Sequence, residues 1–301
     1  MNPAPRYVLV SPARDEEATV GRTLESVCAQ TVKPVRYIVV SDGSTDRTDQ
    51  IVQDWSERYP FITLRRASTD GKRSFGSKVL AFQAGYSLLC QERYEFIGNL
   101  DADVTFEPDY FEQLLAFCSA EPRLGLVGGA IFERLDSRSQ EFVKQLNDRS
   151  SVAGAVQFFR RPCFESFGGY RPMPFGGIDS AAEILARMHG WEVRTIDTLE
   201  VRHHRRVGTV DRGIARARFK KGLINYSLGY HPLFHLTVSL YRMAERPLLV
   251  GGILMLSGYL WGSLSRAPRP LHPQATRFLS QEQMHRLRLR REPAEMVSVA
   301  S

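Results

Sequence analysis

Asp101 and Asp103 stand one residue apart in NLDADVTFEPDYF, residues 99–111, directly behind the apolar run YEFIGNL. If the strand persists, two carboxylates at that spacing share one side of it. They can then hold a hard divalent cation, Mn2+ or Mg2+, and leave positions for water and phosphate oxygens. An acidic triplet on a solvated loop has the same spelling, so position carries the weight: this one ends a strand-like run, and Pro108 opens the helix-like segment behind it. A second polar string, SDGSTD at 41–46, follows VRYIVVS. Asp42 could accept an imide N–H from a base, and Gly43 permits a tight turn. Ser44, Thr45 and Asp46 suit a helix cap, which requires no ligand. A third, SPARDEE at 11–17, follows RYVLVS.

The elements that must position these turns alternate. RYVLVS (6–11), VRYIVVS (35–41), FITLRR (61–66) and YEFIGNL (94–100) read as strands. Between them, EATVGRTLESVCAQ (17–30), RTDQIVQDWSERY (47–59) and GSKVLAFQAGYSLLCQ (76–91) read as helices, with Val20, Leu24 and Val27 at helical spacing in the first. Alternation of this kind predicts an α/β fold with a mostly parallel sheet flanked by helices. In such sheets ligands bind beyond the carboxyl ends of the strands, where all three turns fall.

Composition narrows the class. The 301 residues, 43% hydrophobic, suffice for one large domain with an appendage. Four dispersed cysteines, Cys28, Cys90, Cys118 and Cys163, form no C-x-x-C pair and point to a reducing compartment. The apolar run YVLV near the start is too short for a secretory leader, so a cytoplasmic location is expected. From Glu200 onward there are 17 Lys/Arg and 6 Asp/Glu, net +11, whereas the first 199 residues are net −4. A basic rear half suits an anionic partner. The first turn has no glycine, which excludes the G-x-G-x-x-G turn of dehydrogenases, and no P-loop string occurs.

SPARDEE…LESVCAQT, VVSDGSTDRT, FGSKVLAFQAGY and GNLDADVTFEPDYF, in this order across residues 6–205, resemble the family 2 glycosyltransferases with the GT-A fold. The resemblance implies a metal-dependent, inverting transferase using a nucleotide diphosphate sugar, with a uridine base expected. It implies that Asp42 contacts the base, that Pro12, Ala13, Arg14 and Glu16 line base and ribose, and that Lys78 approaches the nucleotide. Asp101 and Asp103 become the metal-binding pair for Mn2+ or Mg2+, Asp103 the more direct ligand.

An inverting transfer needs a general base opposite the leaving diphosphate. FGGY at 167–170 and GGID at 176–179, with Glu183 beyond, resemble the family's acceptor block. Many members carry Glu-Asp where this chain has Ile178-Asp179. Asp179 is therefore the candidate base and Glu183 the alternative, four residues on and on the same helix face; a helix cap would also explain Asp179. In VRHHRRVGT (201–209), His204 is a candidate to complete the metal shell, on a loop that could close over the pyrophosphate. The Q-x-x-R-W string of processive synthases is absent.

The expected organisation is a catalytic domain over 1–235, with a nucleotide-sugar half to about 105 and an acceptor half beyond, then a basic, apolar helical tail over 236–301. Arg212, Arg216 and Lys220 fall at helical spacing. PLLVGGILMLSGYLWGSLS (247–265) is 19 residues without charge, with four glycines and three serines. That length just permits a span, but an interfacial helical hairpin with Tyr259 and Trp261 near headgroups fits as well. So does a helix packed on the catalytic domain. The partners expected are a nucleotide-sugar donor, a glycan or lipid-linked acceptor and an anionic membrane surface at the inner face of the membrane, with no nucleic acid. The rival readings are a sugar-phosphate nucleotidyltransferase, which usually opens with a Gly-rich loop missing here, and a non-catalytic nucleic-acid-binding or scaffold protein.

Overall fold

The structure, a computed structural model, describes residues 5–67, 75–134, 141–145, 148–204, 213–244 and 248–289. The chain forms two compact units, residues 1–207 and 208–301.

The first unit opens with β1 (Tyr7–Ala13), whose first five residues are all buried, as a central strand covered on both faces requires. α1 (Val20–Cys28) buries Val20, Leu24 and Val27 on one face. β2 (Arg36–Ser41), α2 (Thr48–Arg58), β3 (Ile62–Arg66) and α3 (Phe75–Tyr86) follow, then β4 (Phe96–Leu100). β2 and β4 flank β1, and β3 lies outside β2; all three pairings are parallel. The chain thus winds outward from β1 to β3 and returns to the other side of β1. That reversal leaves a crevice at the carboxyl ends of β1 and β4. α3 lies against β1 and β2 at Gly85, where a Cβ would come within 2.6 Å of Val10 Cγ1.

The rest of the unit is mixed rather than parallel. β5 (Val104–Phe106), α4 (Tyr110–Ala120), β6 (Leu124–Arg134), β7 (Phe142–Lys144), β8 (Val156–Arg160), α5 (Arg161–Ser166), α6 (Ile178–Met188) and β9 (Glu192–His203) complete it. The strand order is β3-β2-β1-β4-β8-β6-β9-β5, with β7 on β6. β8 runs antiparallel to both β4 and β6, and β5 antiparallel to β9. The expectation of a mostly parallel sheet describes β1 to β4; among the later strands β6 and β9 are also parallel, while β8, β7 and β5 join by antiparallel pairing. A core of Tyr7, Phe96, Phe111 and Phe158 lies behind the crevice, Tyr7 stacked on Phe111 at 4.7 Å and Phe96 on Phe158 at 5.4 Å.

The second unit is helical: α7 (Ile214–Ser227), α8 (Pro232–Met243), α9 (Val250–Leu264) and α10 (Pro273–Leu289). The boundary at 207 lies earlier than the one at 235 read from the sequence. The reason is that the basic helix α7 packs along α9 and belongs with the tail. Arg212 and the stretch 205–209 lie outside the described residues. Among the described residues no helix is long and apolar enough to cross a membrane. Tyr259, expected near headgroups, is buried: its hydroxyl donates to the Tyr230 carbonyl at 2.7 Å and its ring stacks on His235. Trp261 is exposed.

Candidate active site

The first two turns hold each other. Thr45 donates through its N–H and hydroxyl to Asp15 Oδ1 at 2.8 and 3.2 Å, the Glu16 N–H donates to Thr48 Oγ1 at 2.7 Å, and the Glu17 N–H to Asp46 Oδ2 at 3.0 Å. Asp15 adopts a left-handed φ of 53° to do so, a conformation that Asp tolerates better than most residues. Asp46 also accepts from the Thr48 N–H at 2.9 Å, but the cap position of α2 is Arg47, so SDGSTD braces the two turns rather than capping the helix as read. Pro12 and Ala13 close β1 itself, one turn earlier than expected of a loop.

Between these turns Asp42 is buried, its N–H bonded to the Ala13 carbonyl, with Arg14 Nη1 3.9 Å from its Oδ2. Its Oδ1 is buried with no hydrogen-bond partner among the described residues. Buried carboxylate oxygens are rarely left so, and a ligand N–H would satisfy this one. Glu16, on the first turn, is half-buried and accepts from Thr19 Oγ1 at 3.1 Å.

Asp101 and Asp103 are not on a strand. β4 ends at Leu100 and β5 begins at Val104, so the pair occupies a turn between them. They converge because the turn is anchored at both ends: the Asp101 N–H donates to the Ala155 carbonyl and the Asp103 carbonyl accepts the His204 N–H, each at 2.9 Å. The imidazole that joins them is His203, not His204. Ligand atoms of Asp101, Asp103 and His203 all lie within 4.8 Å of one another, with His203 Nε2 3.1 Å from Asp103 Oδ1. His204 turns away to Thr105 Oγ1, at 2.8 Å, and its pKa is lowered by burial and by the charges of Arg22 and Arg134. Burial alone would lower the His203 pKa too, but the bond and charge of Asp103 hold it above the ordinary value. Alternation on β9 explains the choice: Leu199, Val201 and His203 point inward, Glu200 and Arg202 outward. The alternation is written in the sequence but selects His203 only once these residues are placed on a strand.

Two carboxylates and an imidazole suit a divalent ion that takes oxygen and nitrogen ligands, Mn2+ among them. His203 Nδ1 is buried without a partner among the described residues, a further polar atom that a ligand or water could meet. Lys78, on α3, reaches Asp101 Oδ1 at 2.6 Å. Burial would lower its pKa, but Asp101 first, then Asp179 and Asp103, raise it, so the ammonium stays charged.

Asp179 is the second residue of α6 and half-buried. It is not the cap: Gly177, at φ 84°, holds that position. Its side chain lies over Gly154, where an added Cβ would come within 3.1 Å of both Asp179 Cβ and Oδ2. Gly154 is fixed in turn by Asn99, whose Nδ2 donates to its carbonyl at 2.8 Å. Behind Asp179, the buried Gln157 donates to the Val152 carbonyl at 3.3 Å and accepts from the Tyr170 hydroxyl at 2.7 Å. Tyr170 closes the FGGY string, but Gln157 has no motif around it, and the sequence gives no local signal for their contact.

Glu183 faces elsewhere. It is buried, and its Oε1 accepts from Ser151 Oγ at 2.9 Å and the Val152 N–H at 2.8 Å, tying the segment before β8 to α6. Burial, reinforced by the Asp179 charge, pushes its pKa up to about 7 against the pull of those bonds and of Arg187. This is a tether rather than a group open to an acceptor.

The family model described as glycosyl transferase family 2 matches residues 8–167. The beta-monoglucosyldiacylglycerol synthase of Synechocystis sp. is 24% identical over 209 residues, 64% of this chain and 42% of that protein, so the chain spans less than half of that relative. Among solved structures, the mannosyltransferase PcManGT from Pyrobaculum calidifontis in complex with GDP-Man and Mn2+ covers 95% of this chain and 81% of its own, at 17% identity and a TM-score of 0.56. S. aureus TarS in complex with UDP-GlcNAc covers 91% and 78%, at 15% identity and 0.53. The fold is thus that of GT-A glycosyltransferases, and the chain belongs to glycosyl transferase family 2.

Proposed function

We propose that this chain moves a hexosyl unit, with inversion, from a nucleotide diphosphate sugar to a lipid-linked or glycan acceptor. The observation that carries the reading is the convergence of Asp101, Asp103 and His203 at the carboxyl ends of β1 and β4, beside the buried, half-partnered Asp42. Asp42 would take an N–H of the base, and Pro12, Ala13, Arg14 and Glu16 would frame base and ribose. A uracil imide supplies that N–H, but so does guanine, and the solved relatives carry one of each.

Asp101, Asp103 and His203 would hold Mn2+ or Mg2+, which when bound supplies positive charge to the leaving diphosphate. Lys78 stands beside them as a protein cation for the same phosphates. Asp179 would accept the proton of the attacking hydroxyl as its oxygen bonds to the anomeric carbon and the carbon–phosphate-oxygen bond breaks. Such a base typically contributes roughly 10²–10⁴-fold. The lipid side of the reading is supported by the diacylglycerol named in the Synechocystis relative and by the basic second unit. On this reading the reaction runs at the inner face of a membrane, with the enzyme held there peripherally.

Incubating the protein with a panel of nucleotide sugars and Mn2+, without acceptor, tests the reading. Slow release of UDP or GDP from at least one sugar, suppressed by EDTA, is expected. No release from any, with no binding either, would overturn it.

A further inference from the structure

The last uncharged stretch of the chain folds into a helix whose sides are sorted the wrong way round for water. α9 turns Gly251, Met255, Gly258 and Gly262 inward and buries them. At Gly258 the inner side has no room for a side chain: a Cβ there would lie 1.9 Å from the Phe219 carbonyl oxygen of α7, and one on Gly222 of α7 would lie 2.0 Å from the Met255 carbonyl. Small residues that bring two helix backbones together are characteristic of helices packed in lipid. Apart from Met255 and Tyr259 the inner side is glycine, and the remaining large apolar side chains lie outside or part-way out. Val250, Ile253, Leu260 and Leu264 recur at helical spacing on the outer stripe, with Leu249 just before its start and Trp261 beside Leu260. Ile253 is 51% exposed, Leu260 57%, Trp261 60% and Leu264 83%. Soluble monomers rarely present such a row, and one rimmed by polar residues marks a docking face.

The charges around it select the occupant. Residues 208–301 hold 14 Lys/Arg against 5 Asp/Glu, and Glu282 is the one acid among the described residues of this unit. Arg242 adjoins the start of α9, its carbonyl 3.7 Å from where a Cβ of Gly251 would sit, and Arg266 follows its end. A second copy seated on the same stripe would set basic ends against basic ends in either direction, whereas anionic headgroups would neutralise them. α9 has 15 residues, roughly 22 Å at 1.5 Å per residue, too short to cross a hydrocarbon core of about 30 Å. We propose that the outer stripe of α9 is a monotopic docking face: the helix lies in the plane of an anionic lipid surface, inserting Ile253, Leu260 and Leu264 between headgroups, with Trp261 at the boundary. This rests on the reading that the acceptor is presented at a membrane, and it adds which surface of the chain meets the lipid and how deeply.

Flotation with vesicles of phosphatidylglycerol and phosphatidylcholine, against phosphatidylcholine alone, tests it on the full chain. The protein is expected to float with the anionic vesicles. The double variant Ile253→Glu, Leu260→Glu is expected to lose about tenfold or more of that binding while its nucleotide-sugar hydrolysis is unchanged. Should the double variant not fold, brominated lipid is expected to quench the wild-type fluorescence, and Trp261→Phe to abolish that quenching. Wild-type protein left in the soluble fraction with anionic lipid overturns the proposal, as does equal flotation of the double variant. A lipid-free dimer that the double variant makes monomeric also overturns it, assigning the stripe to a second copy. Hydrolysis without flotation refutes the docking face and leaves the transferase reading standing; flotation without hydrolysis of any donor does the reverse.

Discussion

At the scale of residues, two carboxylates four positions apart on one helix have been given different work by their surroundings. Asp179 lies half-exposed over Gly154, whereas Glu183 is buried, its Oε1 taken by Ser151 and Val152 and its Oε2 3.7 Å from Arg187. Asp179→Asn keeps the shape but cannot take a proton, so turnover is expected to fall by roughly 10²–10⁴-fold with donor binding intact. Steady-state kinetics beside nucleotide calorimetry checks this, and normal turnover in Asp179→Asn would remove it as the base. Glu183 has a thermodynamic signature instead. Its folded pKa of about 7 lies above its ordinary 4.5. The native state therefore holds a proton that the unfolded chain has released, and stability falls as pH rises from about 4.5 to 7. The effect is on the order of 3 kcal/mol. The melting temperature is expected to drop across that window in the wild type, and Glu183→Gln, which still accepts the Val152 N–H, is expected to lack the drop. Parallel melting curves for the two proteins would contradict it.

At the scale of elements, the site depends on close approaches that only small residues allow. The turn that holds Asp101 and Asp103 is tied to Ala155, Gly154 is tied to Asn99 on β4, and Asp179 rests on Gly154. A methyl at position 154 must push Asp179 outward by a few tenths of an ångström. Gly154→Ala is expected to lower the transfer rate roughly 10-fold or more, with the KM for donor and the melting temperature little changed. A variant as active as wild type would show that Asp179 has slack there. These ties also mark where reading the sequence stopped. β1 to β4 were legible because each is a short apolar run bounded by helix signals, and Asp42, Asp101 and Asp103 were legible because they end such runs. The later strands were not: β5 has three residues, and β9 pairs with it across nearly a hundred positions. Without β9 placed, the alternation that turns His203 inward had no frame, and the choice fell on His204.

At the scale of the whole molecule, the chain divides its chemistry and its charge the same way. The mildly acidic front carries the nucleotide-side residues and the basic rear carries the apolar helix α9. The four glycines that argue against a span when read as composition are explained by where they fall. All four, Gly251, Gly252, Gly258 and Gly262, are buried, and much of the hydrophobicity of the stretch is turned outward. Which side of a helix is buried depends on its partner, here α7, and no property of the stretch alone announces it. On the proposed function, Asp101, Asp103 and His203 make nucleotide binding depend on a divalent ion. Calorimetry of UDP and GDP binding, with Mn2+ and with EDTA, tests that claim most directly in the wild type, Asp103→Ala, His203→Ala and His204→Ala. Wild type and His204→Ala are expected to bind at least one nucleotide with an affinity that Mn2+ raises about tenfold or more, while Asp103→Ala and His203→Ala are expected to lose that gain. Equal wild-type affinity in EDTA and in Mn2+ would contradict it.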